Sequence, residues 1–202
     1  MGGRAQSATG AVLLALTCAL AGCAGDADLA RPERRVLALG STSYAQVVAR
    51  FGTPQRTAEL VRNGARIHAI WYTYSAPQAE PVKRGEVSIR VLECDFAGGL
   101  LVGRIFASTF KSDSTDFDES FGHAIQKGVS TADEVTTLMG QPSAFFVPPL
   151  VKAPATTAVG YYFEPTAPET ASVGWTFRKS LTVTFDDKDV AYSVEVSASQ
   201  RK

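Results

Sequence analysis

Gly40-Ser41-Thr42-Ser43-Tyr44-Ala45-Gln46-Val47-Val48-Ala49-Arg50-Phe51-Gly52-Thr53-Pro54 returns 88 residues further on. There it reads Gly128-Val129-Ser130-Thr131-Ala132-Asp133-Glu134-Val135-Thr136-Thr137-Leu138-Met139-Gly140-Gln141-Pro142, aligned without a gap. Gly40, Val47, Gly52 and Pro54 meet Gly128, Val135, Gly140 and Pro142. Ser43 with Gln46, and Thr131 with Glu134, have the spacing of a capping box, where side chains satisfy the orphan N–H groups of a helix start. Val47 with Phe51, and Val135 with Leu138 and Met139, make one apolar face. Gly52 and Gly140 suit the left-handed position past a helix end, and the proline two residues later blocks continuation. Each stretch predicts a capped helix of about three turns.

The correspondence extends outward. Ala58–Arg62, Asn63-Gly64 and Arg66–Tyr74 predict strand, tight hairpin turn and strand. Leu92, Cys94 and Phe96 alternate, Gly98-Gly99 turns, and Leu101–Phe110 returns. At an offset of 89, Leu181, Val183 and Phe185 alternate, Asp186–Asp189 turns, and Val190–Val196 returns. Trp71-Tyr72-Thr73-Tyr74 pairs loosely with Gly160-Tyr161-Tyr162-Phe163. Arg34–Leu39 and Phe121–Lys127 predict a short helix ahead of each capped one. The predicted fold class is α+β: two tandem helix-helix-antiparallel-sheet repeats, with the helices packed on one sheet face. The repeats span 33–112 and 113–202, joined near Lys111–Thr115. The Pro-rich stretches Ala76–Pro81 and Pro148–Pro154 interrupt strands and read as loops.

The N-terminus reads as an address. Arg4 precedes an apolar run, Ala11–Gly22, too short for the roughly 20 residues of a spanning helix. It ends in Leu20-Ala21-Gly22-Cys23, which resembles the bacterial lipobox, where the cysteine thiol is acylated and becomes the mature N-terminus. Residues 1–22 are then a lipoprotein signal peptide and 23–32 a tether. An ordinary cleavage after Ala21 or Gly22 would leave Cys23 incidental. Acyl chains anchor through about 0.8 kcal/mol per buried CH₂. Ala24 rather than Asp after Cys23 favours the outer membrane by resemblance to enteric sorting. Cleavage also removes Cys18, so a lipidated Cys23 leaves Cys94 without a disulfide partner. Cys94 reads as a small buried hydrophobe in an alternating strand.

Composition excludes some functions. The 202 residues hold 20 Lys+Arg against 20 Asp+Glu with no basic block, which argues against nucleic-acid binding. Hydrophobic residues at 45% argue for a packed chain. His68 and His123 are the two histidines; neither has a partner at ligand or nucleophile spacing, and His68 reads as a surface strand residue. No phosphate loop, dinucleotide fingerprint or nucleophile elbow is present. Asp113, Asp116, Asp118 and Glu119 cluster, yet lack the calcium-loop glycine and distal glutamate; a helix-capping role is preferred. No cofactor or metal is expected, and no catalytic residue is assigned. Half of each strand faces away from the helix layer. Among the aromatics there, Tyr72, Tyr74, Phe146 and Tyr161 are candidates for partner binding, while Trp71, Phe163 and Trp175 are assigned to the core.

Lys127-Gly128-Val129-Ser130-Thr131, Val135 and Leu138-Met139-Gly140-Gln141-Pro142-Ser143 resemble the BamE/SmpA/OmlA family of outer-membrane lipoproteins. In that pattern a glycine and a hydroxyl residue open a helix, a valine lies inside it, and Gly-x-Pro closes it; the Phe185 strand is similar to the family's final hairpin. The resemblance covers Phe121–Ala198 well and Leu37–Phe110 more loosely, with departures at Ser41 and Arg50. Two repeats in tandem resemble the secreted β-lactamase-inhibitor proteins, which share that fold and carry disulfides this chain lacks. The resemblance implies a non-enzymatic, periplasm-facing lipoprotein, anchored through its acyl chains, that binds other envelope proteins and supports outer-membrane protein assembly. The alternative is an inhibitor or binder of a periplasmic or cell-wall enzyme. An envelope hydrolase using His68 is the third and least favoured.

Overall fold

Both capping boxes close. In the computed structural model, which describes residues 29–84, 86–166 and 176–198, Ser43 Oγ accepts the Gln46 N–H at 3.3 Å and the Gln46 Oε1 accepts the Ser43 N–H at 2.8 Å. They open helix α1, Tyr44–Phe51. Thr131 and Glu134 repeat the pair at 3.3 and 2.9 Å to open α2, Ala132–Met139. Both helices stop at glycine with φ 81°, and ψ is −166° at Gly52 and −162° at Gly140. That extended positive-φ region, rather than the left-handed helical one, is open essentially to glycine alone.

Each helix start is also lashed to a distant hairpin. The Gly40 N–H bonds to Leu101 O at 2.7 Å, and the Gly128 N–H bonds to Ala191 O at 2.8 Å. The hairpins in question are β3–β4, Ile89–Ala97 with Leu100–Ser108, and β7–β8, Thr176–Phe185 with Ala191–Ala198. Asn63, at φ 48°, and Gly64, at φ 80°, turn β1, Arg56–Arg62, into β2, Ala65–Ser75, the positive pair that a two-residue hairpin requires.

The two helix-helix-antiparallel-sheet repeats expected from the sequence are not what forms. Strands β1 to β4, followed by β5, Ala144–Phe146, β6, Thr157–Thr166, β7 and β8, make one antiparallel sheet in chain order. The two halves merge at β4 and β5, through Gly103 with Phe146, Arg104 with Phe145 and Ile105 with Ala144. This pairing satisfies a row of backbone groups that β4 would otherwise present as a bare edge.

Helix content is correspondingly small. Besides α1 and α2 the described residues hold one 3₁₀ helix, Glu119–Ala124, where a helix over Phe121–Lys127 was expected. Arg34–Leu39 makes turns, with the Val36 N–H on Glu33 O at 3.0 Å, while Leu37 is sunk into the core. Segments that short close too few hydrogen bonds to offset helix nucleation.

The core lies on the face that α1 and α2 cover. Val47, Ile70, Tyr72, Leu92, Cys94 and Phe96 fill it in the first half. Val135, Tyr161, Leu181, Val183 and Phe185 fill it in the second. Burial pushes the Cys94 thiol far above its ordinary range, so it acts as the apolar filler its strand position suggested.

Candidate binding cleft

Strand alternation decides what the other face carries. With Leu92, Cys94 and Phe96 turned to the helices, Val91, Glu93 and Asp95 of β3 turn away. Register puts Trp71 and Ile105 beside Glu93, and Ala69 and Gly103 beside Asp95. In the second half Ala158, Gly160 and Tyr162 of β6 share this face with Thr182 and Thr184 of β7 and Ser193 and Glu195 of β8. No helix covers it. The segment 147–156 crosses it instead, and Asn63 Nδ2 ties that segment to the β1–β2 turn by donating to Pro149 O at 2.7 Å. Gly103 makes room underneath, since a Cβ there would stand 2.3 Å from Leu150 Cδ1.

Between the segment and the sheet lies a cavity of about 670 Å³. Its lining runs from Arg62 on β1 to Glu195 on β8, the two outermost strands. Eight strands at about 4.8 Å spacing would hold those edges far apart if flat, so the sheet curls around the cavity.

Glu93 and Asp95 form its floor. Trp71 Nε1 donates to Glu93 Oε2 at 2.7 Å. Burial nevertheless pushes the Glu93 carboxyl up to about 7, against the pull of that hydrogen bond and of Arg62. Asp95 is 5% exposed, and burial together with the Glu93 charge holds it well above the carboxylate range. In the second half Tyr162 OH is 2.9 Å from Thr182 Oγ1, and Thr184 Oγ1 is 2.7 Å from Ser193 Oγ. Such a cleft can recognise an occupant by shape and charge.

The four aromatics named from the sequence separate. Tyr72 is 3% and Tyr161 2% exposed, and their hydroxyls donate to Gly52 O at 2.9 Å and Gly140 O at 3.1 Å. Both face the helices and pin them, so neither offers a surface to a partner. Tyr74 shares that face, half-buried, stacked on Phe110 at 5.8 Å. Phe146 alone of the four lines the cavity, edge-on to Tyr162 at 6.4 Å. Trp71 and Phe163 are buried as expected, while Cys23 and Trp175 lie outside the described residues.

The acidic cluster divides too. Asp118 caps the 3₁₀ helix, accepting the Ser120 N–H at 2.9 Å. Asp116 and Glu119 grip Lys179 Nζ at 2.6 and 3.1 Å. Asp113 binds Arg90 at 2.9 Å and accepts from Ser108 Oγ at 2.6 Å. No group of three metal-ligating side chains converges among the described residues. His68 Nδ1 meets Glu59 Oε1 at 2.7 Å, half-exposed on the helix side. No described helix is long and apolar enough to cross a membrane.

Glu93 and Asp95 escaped the sequence reading although their signal was present. Val91-Leu92-Glu93-Cys94-Asp95-Phe96 places two carboxylates on one face once Leu92, Cys94 and Phe96 are assigned to the other. What the sequence did not carry was that a loop some 50 residues away would cover them.

No protein-family model matches the chain, and no curated protein matches it in sequence. The BamE/SmpA/OmlA resemblance therefore gains no support. Among solved structures, a Streptococcus mutans protein described provisionally as a beta-lactamase inhibitor protein aligns over 77% of this chain and 82% of its own. The TM-score is 0.38 and the identity 12%, a likeness too slight to decide family or activity.

Proposed function

We propose that this chain is a non-enzymatic binding protein of the bacterial envelope. Acyl chains on Cys23 hold it at the outer membrane, facing the periplasm, and it takes a partner protein on the helix-free face of its sheet. The cavity of about 670 Å³ on that face carries the reading. It is a large recess whose wall is shared about equally between apolar or aromatic side chains and polar or charged ones, so it can select an occupant by both shape and charge. An envelope assembly protein is one class of occupant, and a periplasmic or cell-wall enzyme held inhibited is the other.

A photo-reactive residue in place of Tyr192, on the cavity rim and 52% exposed, should capture a defined protein in intact cells. The same residue in place of Leu138, on α2, should not. Capture of an assembly protein supports the first occupant, and capture of a wall enzyme that the purified chain inhibits supports the second. Equal capture from both positions would remove the open face as the site. Cys23→Ala should release the protein from the membrane fraction, and retention there would overturn the anchor.

A further inference from the structure

Asp95 is the one floor group with nothing to hold. It is 5% exposed and lines the cavity, and no hydrogen-bond donor reaches its carboxylate among the described residues. Glu93, two residues away on the same face, has the Trp71 indole as its donor. The equivalent positions of the second half, Thr182 and Thr184, are both hydrogen-bonded. The sheet floor therefore carries a buried acid without a protein donor in the first half, where the equivalent positions of the second half carry hydrogen-bonded hydroxyls. Taking a carboxylate out of water without a counter-ion is costly, and a second carboxylate beside it raises the cost.

The other charged and titratable groups facing the cavity are Arg62, Lys152, Glu195, Tyr162 and Tyr192. Arg62 is exposed on β1 and acts on the carboxyl pair only through its field. Lys152 belongs to the covering segment and is also exposed, and Glu195 adds a third acid from the far edge. Phe146, Tyr162 and Leu150 supply apolar and aromatic wall above the acids. A flexible apolar stem ending in a cation fits such a wall, since its methylenes pack and aromatic faces attract the charge.

We infer that the cleft is a seat for one cationic side chain of the partner protein, an arginine or lysine whose guanidinium or ammonium enters beside Asp95 and Glu93. This rests on the reading of the open face as the partner site, and it adds which chemistry that face selects. The seated cation supplies the donors Asp95 lacks, and it stabilises the ionised form of both acids.

The test is calorimetric titration of the full chain with Nα-acetyl-arginine 2-naphthylamide and with the matching citrulline compound, which has the same shape and no charge. The arginine probe should bind at least about tenfold more tightly. Repeated near neutral pH in buffers of different ionisation enthalpy, the titration should show proton release on binding, because the cation favours ionised carboxylates. Asp95→Asn, nearly isosteric, should reduce the arginine probe to the level of the citrulline one.

Equal affinity for the two probes, absence of binding, absence of proton release from the unaltered chain, or an Asp95→Asn variant that still prefers arginine would each overturn the inference. Failure of the probes with crosslinking at Tyr192 intact removes the cation seat alone. Loss of selective crosslinking at Tyr192 removes the open face itself.

Discussion

The two halves of the chain match on one side of the sheet and differ on the other. Facing the helices, Tyr72 and Tyr161, Leu92 and Leu181, and Phe96 and Phe185 stand in equivalent places, each buried. Facing away, Trp71 stands against Gly160, Glu93 against Thr182 and Asp95 against Thr184. The connections differ in the same sense: a two-residue turn joins β1 to β2, while the segment 147–156 joins β5 to β6. One side thus repeats the packing that builds the sheet, and the other carries an acidic floor from the first half under a cover from the second. A cleft assembled from unlike halves is what a binding site of defined polarity requires, whereas two identical faces would have given a symmetric one.

The largest effects should come from the matched side and should themselves match. Phe96 and Phe185 are both about fully buried, so Phe96→Ala and Phe185→Ala should each cost about 3–5 kcal/mol. Because β4 and β5 join the halves, each variant should lower a single cooperative denaturant transition. Two separate transitions would show that the halves fold apart and would break the comparison at its base.

The acidic floor should separate the halves by pH. Burial lifts Glu93 to about 7 and Asp95 well above its ordinary value, so the folded chain holds protons that the unfolded chain has released. Their contribution to stability is fully present below the unfolded carboxylate values and is lost as pH rises through the folded ones. As pH rises from about 4.5 through the Glu93 value of about 7, the unaltered chain should therefore lose stability relative to Glu93→Gln/Asp95→Asn. On the alkaline side of the Glu93 value the double variant should be the more stable by about 1–3 kcal/mol. Thr182→Val, which strips the Tyr162 hydroxyl of its partner, should lower stability by about 1 kcal/mol with no change in pH slope. Chemical denaturation across this range, read as the difference from the unaltered chain, checks both.

The helix ends give a matched pair of smaller size. At φ 81° neither Gly52 nor Gly140 leaves a side chain an unstrained backbone, although a Cβ at Gly140 would meet no atom within 4 Å. Gly52→Ala and Gly140→Ala should each cost about 1–3 kcal/mol through backbone strain, with no steric contact added at Gly140. Thermal melts in which Gly140→Ala is neutral would show that this helix end relaxes and that the halves are not alike there.

How far the sequence carried the fold follows from the range of each signal. Ser43 with Gln46 and Thr131 with Glu134 act over three residues, and the Asn63-Gly64 turn over two, so all were legible. The union of β4 with β5 joins Gly103 to Phe146 across some 40 residues, and no local pattern encodes such a partner. Arg34–Leu39 misled because its apolar spacing suits both a short helix and a turn that plugs Leu37 into the core. The site was half legible. Alternation around Cys94 implied that Glu93 and Asp95 share a face, but their burial depends on the segment 147–156 lying across them. For Tyr72 and Tyr161 the sequence left the face open, because aromatic strand residues suit a core and a surface equally; both are buried. The C-terminal carbonyl of a helix waiting above each was visible only in three dimensions.

Those two tyrosines supply the smallest and most discriminating pair. Tyr72→Phe and Tyr161→Phe keep the ring in place and delete only the hydroxyl that donates to Gly52 O or Gly140 O. Each deletion should cost about 0.5–1.5 kcal/mol, the net value of one such hydrogen bond together with an orphaned carbonyl. Since both hydroxyls point to the helices, neither change should alter what is captured from the Tyr192 position or how tightly the arginine probe binds. A Tyr161→Phe variant of unchanged stability with a lost partner would return that residue to the binding surface. Equal, modest destabilisation of both with binding intact would place the pair among the matched positions, where the two halves hold their helices by the same bond.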